Sequence, residues 1–171
     1  MQINNRKAAK LITLTISALL IATVSAQSYR YLFINGTVTF TSGKGLTWIV
    51  GNSEATIDGS TATLPLTVSN GSVAVFTEVL YLKNLDGSTP HDVDISVTNT
   101  ATGSNYETNG FNVTIINNAT GVTLDKLDAT TTDTYSGNIS GGGQWDITIE
   151  ISTTPTATEG TDDFAIQFTY E

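Results

Sequence analysis

A search for chemistry in this chain begins at its only histidine, His91, which follows Pro90 where a loop meets a strand. The sequence has no cysteine and no Gly-x-Ser-x-Gly turn to hold an activated serine, so this imidazole has no nucleophile to serve. It reads as a solvated loop residue. Paired carboxylates can hydrolyse glycosides, but Asp92, Asp94, Asp146 and Glu150 alternate with apolar residues and are expected to face outward on strands, while Asp162-Asp163 reads as loop. Calcium would suit loop carboxylates and carbonyls. The stretch Asp86-Gly87-Ser88 lacks Asp-x-Asp-x-Asp-Gly spacing, however, and reads as an Asp-Gly turn. No residue set is assigned to catalysis, to a metal or to a cofactor, and an enzyme is not expected.

More specific are the Asn-x-Ser/Thr acceptors at Asn35, Asn70, Asn112, Asn118 and Asn138. Asn112 falls on the face opposite Phe111, Val113 and Ile115, and the other four fall at expected turns or loops. Each could then carry a glycan without disturbing a core.

Such acceptors matter only in a secreted chain, and the N-terminus reads as a secretory leader. Arg6, Lys7 and Lys10 form a basic start, Leu11 to Val24 is an apolar run, and Val24-Ser25-Ala26 supplies the small residues of a cleavage site. Residues 1–26 are read as the signal peptide; the apolar run falls short of the roughly 20 residues of a spanning helix. Cleavage leaves 145 of the 171 residues, the size of one domain with a proper core. The leader holds three of seven basic residues and none of sixteen acidic ones, so the mature net charge is 4 − 16 = −12. That balance argues against a nucleic-acid partner, since nothing here could neutralise a phosphate backbone. It favours solubility and could gather cations.

Lacking disulfides, the fold must draw stability from its core or from assembly. Thr, Ser, Asn and Gly are abundant, as solvent faces of strands and tight turns require. Period-two alternation recurs along the chain. It is clearest in Val93, Ile95 and Val97; in Phe111, Val113 and Ile115; in Trp145, Ile147, Ile149 and Ile151; and in Phe164, Ile166, Phe168 and Tyr170. Thr61 to Val68 reads as a strand whose Pro65 assigns it to an edge or a bulge. Val73 to Lys83, apolar on both faces, reads as a central strand. Thr102 to Gly110 reads as a connection, and Thr130 to Ser140 has too weak a pattern to assign. Nine or ten strands with turn signals between them predict an all-β fold, a single jelly-roll-like or Greek-key β-sandwich.

The stretch that stands apart is the start of the mature chain, where Tyr31, Leu32, Phe33 and Ile34 are apolar on both faces of any strand they form. It is either the first strand of its own sandwich or a segment that completes another sheet. The block Tyr-Arg-Tyr-Leu-Phe-Ile-Asn-Gly-Thr-Val-Thr-Phe at residues 29–40, a Trp soon after, Val79-Leu80-Tyr81-Leu82-Lys83-Asn84-Leu85 and Asp92-Val93-Asp94-Ile95-Ser96-Val97 resemble archaeal bundling-pilus and thread subunits. Those subunits are similar in turn to the TasA and camelysin biofilm-matrix fibre proteins. There is no type IV pilin leader followed by a long apolar helix.

The resemblance implies an extracellular, glycosylated subunit that polymerises head to tail by donor-strand complementation, its N-terminal strand entering the next subunit's sheet. Carried onto this chain, the donor protrudes over Ser28 to Ile34, with Tyr29, Tyr31, Leu32, Phe33 and Ile34 as its anchors. Asn35-Gly36 is then the hinge, residues 27–36 the donor segment and residues 37–171 the sandwich. The partner implied is the chain itself, with lateral bundling between filaments and no membrane contact after cleavage. Two other classes stay open: a secreted carbohydrate-binding module using Trp48 or Trp145 as a sugar platform, although Trp145 begins a strict inward alternation and reads as core, and a surface-layer or adhesion module.

Overall fold

The computed structural model describes residues 31–41 and 45–170. The expected signal peptide and residues 27–30, with Tyr29 among them, lie outside the described residues. The described chain is all β apart from one 3-10 turn, Gly103–Asn105. Its strands are β1 (Tyr31–Thr41), β2 (Leu46–Val50), β3 (Thr56–Asp58), β4 (Thr61–Ser69), β5 (Val73–Asn84), β6 (His91–Asn99), β7 (Tyr106–Asn117), β8 (Val122–Asp128), β9 (Thr134–Ile139), β10 (Gln144–Thr153) and β11 (Gly160–Tyr170).

Two sheets form a β-sandwich: β3-β4-β1-β11-β6-β9 faces β2-β5-β10-β7-β8. Only β3–β4 and β7–β8 are hairpins within one sheet, and every other connection crosses from one sheet to the other. Consecutive strands alternate in direction, so the first and the eleventh run the same way. They are neighbours, and theirs is the parallel pairing in an otherwise antiparallel fold.

The strict alternations behave as physical chemistry demands, each strand burying one face. Val93, Ile95 and Val97, then Phe164, Ile166 and Phe168, enter the core from one sheet; Phe111, Val113 and Ile115, with Trp145, Ile147, Ile149 and Ile151, enter from the other. Phe111 sits edge-on to Phe164, ring centroids 4.8 Å apart, and joins the two layers.

Where the sequence pattern was broken or doubled, the structure differs from expectation. β5 is not central, since it lies next to the edge strand β2, and Val73 and Val75 are exposed. A bulge explains the doubled pattern. Glu78 takes a positive φ of 53°, the β5–β10 register slips opposite Ile147 to Ile149, and Val79 and Leu80 are buried in succession. Gly51 is required beside it, because a Cβ there would lie 1.8 Å from the Glu78 carbonyl oxygen. β7 begins at Tyr106, inside what reads as a connection, and the unassigned polar stretch contains β9, whose inward side chains are Tyr135 and Ile139. β4 is an inner strand over Thr61 to Thr63, where β3 covers it, and an open edge at Pro65.

Candidate functional site

The most unusual arrangement in the fold is the seat of β1. One side of β1 pairs antiparallel with β4, from Tyr31↔Ser69 to Thr39↔Thr61, and the other pairs parallel with β11, from Leu32↔Gly160 to Thr41↔Thr169. The first of the described strands, which among the described residues is joined to another strand only at its C-terminal end, thus fills the middle of a six-stranded sheet. Without it, β3-β4 and β11-β6-β9 would be separated by a slot one strand wide.

The slot is apolar and shaped. Ala62, Leu64, Leu66 and Val68 of β4 and Phe164, Ile166 and Phe168 of β11 are buried along its walls. Into it go Leu32, Ile34 and Val38, each no more than 1% exposed, while Tyr31, Phe33 and Asn35 face outward. Each inward side chain is worth about 2 kcal/mol of burial, and ladder bonds on both edges add to it.

At the centre is Gly36, paired with Phe164 on one side and Leu64 on the other. A Cβ there would stand 2.5 Å from the Phe164 ring, so the glycine makes room for that ring. This corrects the reading of Asn35-Gly36 as a hinge. Both are paired on two sides within β1, and Gly36 is not among the glycines of positive φ. It corrects the protruding donor as well. Over Tyr31 to Ile34 the strand lies in the chain's own sheet, because for an isolated chain its own slot is the one within reach.

The start of β11, which walls the slot opposite Ile34, is fixed by a buried carboxylate. Asp162 accepts hydrogen bonds from the backbone N–H of Thr102 (2.9 Å), Asn105 Nδ2 (3.1 Å), Tyr106 Oη (3.1 Å) and the Asp163 N–H (3.0 Å), and from the Thr102 hydroxyl (3.1 Å). It therefore lies in a strand and not in a loop. Neutral donors satisfy it, and it latches the β6–β7 connection onto β11. Burial, with the Asp162 charge adding to it, pushes the Tyr106 phenol far above the ordinary tyrosine pKa of 10.0.

The other residues singled out by type are structural. His91 is a part-buried residue that opens β6; Nε2 lies 3.0 Å from Asp86 Oδ2, and the ring meets Tyr170 edge-on. Asp146 is buried, accepting from Asn118 Nδ2 at 2.8 Å and Gln144 Nε2 at 3.0 Å, which overturns its outward assignment. Asp92 and Asp94 do face solvent, and Glu150 pairs with Lys126 at 3.0 Å. Among the described residues no group of His, Cys, Asp and Glu could hold a metal ion. Both tryptophans are core residues, Trp48 edge-on to Phe168 and Trp145, as its inward alternation predicts, to Tyr135, so neither offers a sugar platform.

The sequons separate by access. Asn112 is 5% exposed, its Nδ2 donating to the Asn109 carbonyl where the backbone turns through a positive φ, so its face is covered and not free for a glycan. Asn70 is part-buried and donates to the Ala157 carbonyl at 2.6 Å. Asn35, Asn118 and Asn138 are exposed, Asn35 and Asn138 on strands instead of turns.

No family model and no curated protein matches the chain.

Proposed function

We propose that this protein is a structural subunit of an extracellular filament, held together by exchange of β1 between subunits. The observation that carries the reading is the position of β1. It is the first described strand, yet it fills an inner position between β4 and β11 and is joined to the rest by residues 42–45, Ser-Gly-Lys-Gly. A slot of this kind accepts the same strand from a neighbour with the same inward side chains and backbone bonds. The exchanged segment is then the whole of Tyr31–Thr41, and the connection after it replaces Asn35-Gly36 as the pivot.

The chemistry elsewhere agrees with a structural role. The titratable groups are ion pairs, hydrogen-bonded latches or solvated carboxylates. A strongly acidic, cysteine-free surface with exposed sequons suits a secreted polymer stabilised by assembly.

The test is electron microscopy of two purified chains, one starting at residue 27 and one at residue 42. The first is expected to form long filaments. The second is expected to remain unpolymerised and to melt at lower temperature. Normal filaments from the shorter chain, or a longer chain that stays monomeric at every concentration, would overturn the proposal.

A further inference from the structure

We infer that in the filament β1 runs through its neighbour's slot in the opposite sense to the one it has in its own, parallel to β4 and antiparallel to β11. This rests on the reading of β1 as an exchanged strand, and three features of the fold lead to it.

The slot does not choose a direction through its hydrogen bonds. Its two walls, β4 and β11, run opposite to each other, since β1 is antiparallel to the first and parallel to the second. Any strand between them has one parallel and one antiparallel neighbour, whichever way it runs. Reversal only exchanges which wall is which.

Nor does the inward face choose strongly. The buried residues Leu32, Ile34, Gly36 and Val38 are continued at the same parity in the sequence by Phe40. Around Gly36 the buried series is nearly symmetric: β-branched, glycine, β-branched. Turned end for end about Gly36, the strand keeps the glycine beneath Phe164, where a Cβ would stand 2.5 Å from the ring. It exchanges Ile34 with Val38, a difference of one methylene. Such volume-conserving exchanges are the ones a core tolerates best.

The tether does choose. Within one chain, Thr41 pairs with Thr169 near the end of β11, and Leu46 pairs with Asn84 at the end of β5. These lie at one end of the sandwich: the Gly45 carbonyl accepts from the Leu85 N–H at 2.5 Å, and His91, which follows that loop, meets Tyr170. From Thr41 to Leu46 the chain can span at most about 17 Å. A neighbour's strand seated in the same sense would bring the neighbour's body to this end, from which the acceptor's own strand also departs. Two copies then exchange strands through one shared face, and the assembly closes on itself. Seated in the opposite sense, the strand emerges near Ser69 and Gly160, so the donor's body sits at the far end and the acceptor's own strand leaves freely from the near one. That contact repeats without closing, as a fibre requires.

Because the natural chain lacks cysteine, single substitutions give clean cross-links. In the chain's own slot Phe33 is the partner of Thr67, and Thr39 of Thr61. Reversal about Gly36 puts position 33 where 39 stands. Mature chains carrying Phe33→Cys are co-assembled with chains carrying Thr61→Cys, or separately with chains carrying Thr67→Cys, then oxidised and run on a non-reducing gel. The expected result is a cross-linked dimer with Thr61→Cys and none above background with Thr67→Cys. The mirror pair, Thr39→Cys with Thr67→Cys, is expected to cross-link too, and serves if Phe33→Cys impairs assembly. The reverse pattern would show strand exchange in the unreversed sense, overturning this inference but not the proposed function. Filaments without intersubunit cross-links, in which the double variant Phe33→Cys/Thr67→Cys closes within one chain, would overturn both.

Discussion

β1 and β10 occupy comparable places, each buried between two neighbours in the middle of its sheet, and they differ in how they are held. β10 lies between β5 and β7, antiparallel to both, and connections at its two ends fix it in the chain. β1 lies between β4 and β11 with one antiparallel and one parallel neighbour, and among the described residues only its C-terminal end leads to another strand of the sandwich. Its side chains are as deeply buried as those of β10. On the proposed reading, burial alone does not make a strand a permanent part of its subunit. A strand can be removed when a single tether holds it and when the slot it leaves fits a copy of the same strand equally well.

The comparison can be strained most severely at Phe164, whose ring covers Gly36 from one side and meets Phe111 from the other. Phe164→Ala is expected to lower stability by about 3–5 kcal/mol and to abolish filaments, read by chemical denaturation and electron microscopy. Ile149→Ala in β10 should cost a comparable 2–5 kcal/mol. Its loss should fall equally on the chains starting at residues 27 and 42, because β10 belongs to both. If Ile149→Ala destabilises only the longer chain, the distinction between the two strands fails.

Gly36→Ala is the sharper test of the slot. The added Cβ meets a ring that is itself packed, so overpacking of about 1–3 kcal/mol is expected, seen as a lower melting temperature and a reduced filament yield. The chain starting at residue 42 lacks this position and sets the floor. A fully stable, fully polymerising Gly36→Ala chain would mean that the strand seen here is not the one that assembles.

The Asp162 latch gives a pH signature of similar or smaller size. Since Tyr106 is held above its ordinary pKa of 10.0, its unfolded form ionises first as pH rises. The folded chain then carries more protons than the unfolded one, so stability falls with further increase in pH. The contribution is intact below pH 10 and is lost upward from there. Tyr106→Phe should flatten this alkaline limb in denaturation experiments between pH 8 and about 11, at the loss of one hydrogen bond worth about 1 kcal/mol at neutral pH. An unchanged limb would assign the alkaline loss to other groups.

The smallest effect is expected on the outer face of β5. Val73→Lys and Val75→Lys change exposed positions and should stay within about 0.5 kcal/mol of the parent, with normal filaments. Loss of filaments in either variant would put the intersubunit contact on this sheet and not in the slot.

Much of the sandwich was legible because alternation is a local property. Val93 to Val97 and Trp145 to Ile151 declare an inward face without reference to any partner, and each adopts it. Reading failed where a neighbour intervened. The bulge at Glu78 turned a doubly apolar run into a half-exposed strand, and Asp146 and Asp162 are buried because donors distant in sequence, Asn118 in one case and Thr102 to Tyr106 in the other, come to meet them. Gly137 hid β9, since it stands between the inward Tyr135 and Ile139 and breaks their apolar alternation in an otherwise polar stretch.

The opening strand divides along the same line. Its composition marked Tyr31 to Ile34 as a segment in need of a second covered face, and its one glycine looked like a pivot. Only the tertiary structure decided that the glycine is a recess for Phe164, that one strand runs unbroken through it from Tyr31 to Thr41, and that its slot has walls running in opposite directions. Inward and outward are set by each residue and its near neighbours. Which strands are adjacent, and in which sense they run, is set by chain segments that meet only once the sheets have closed.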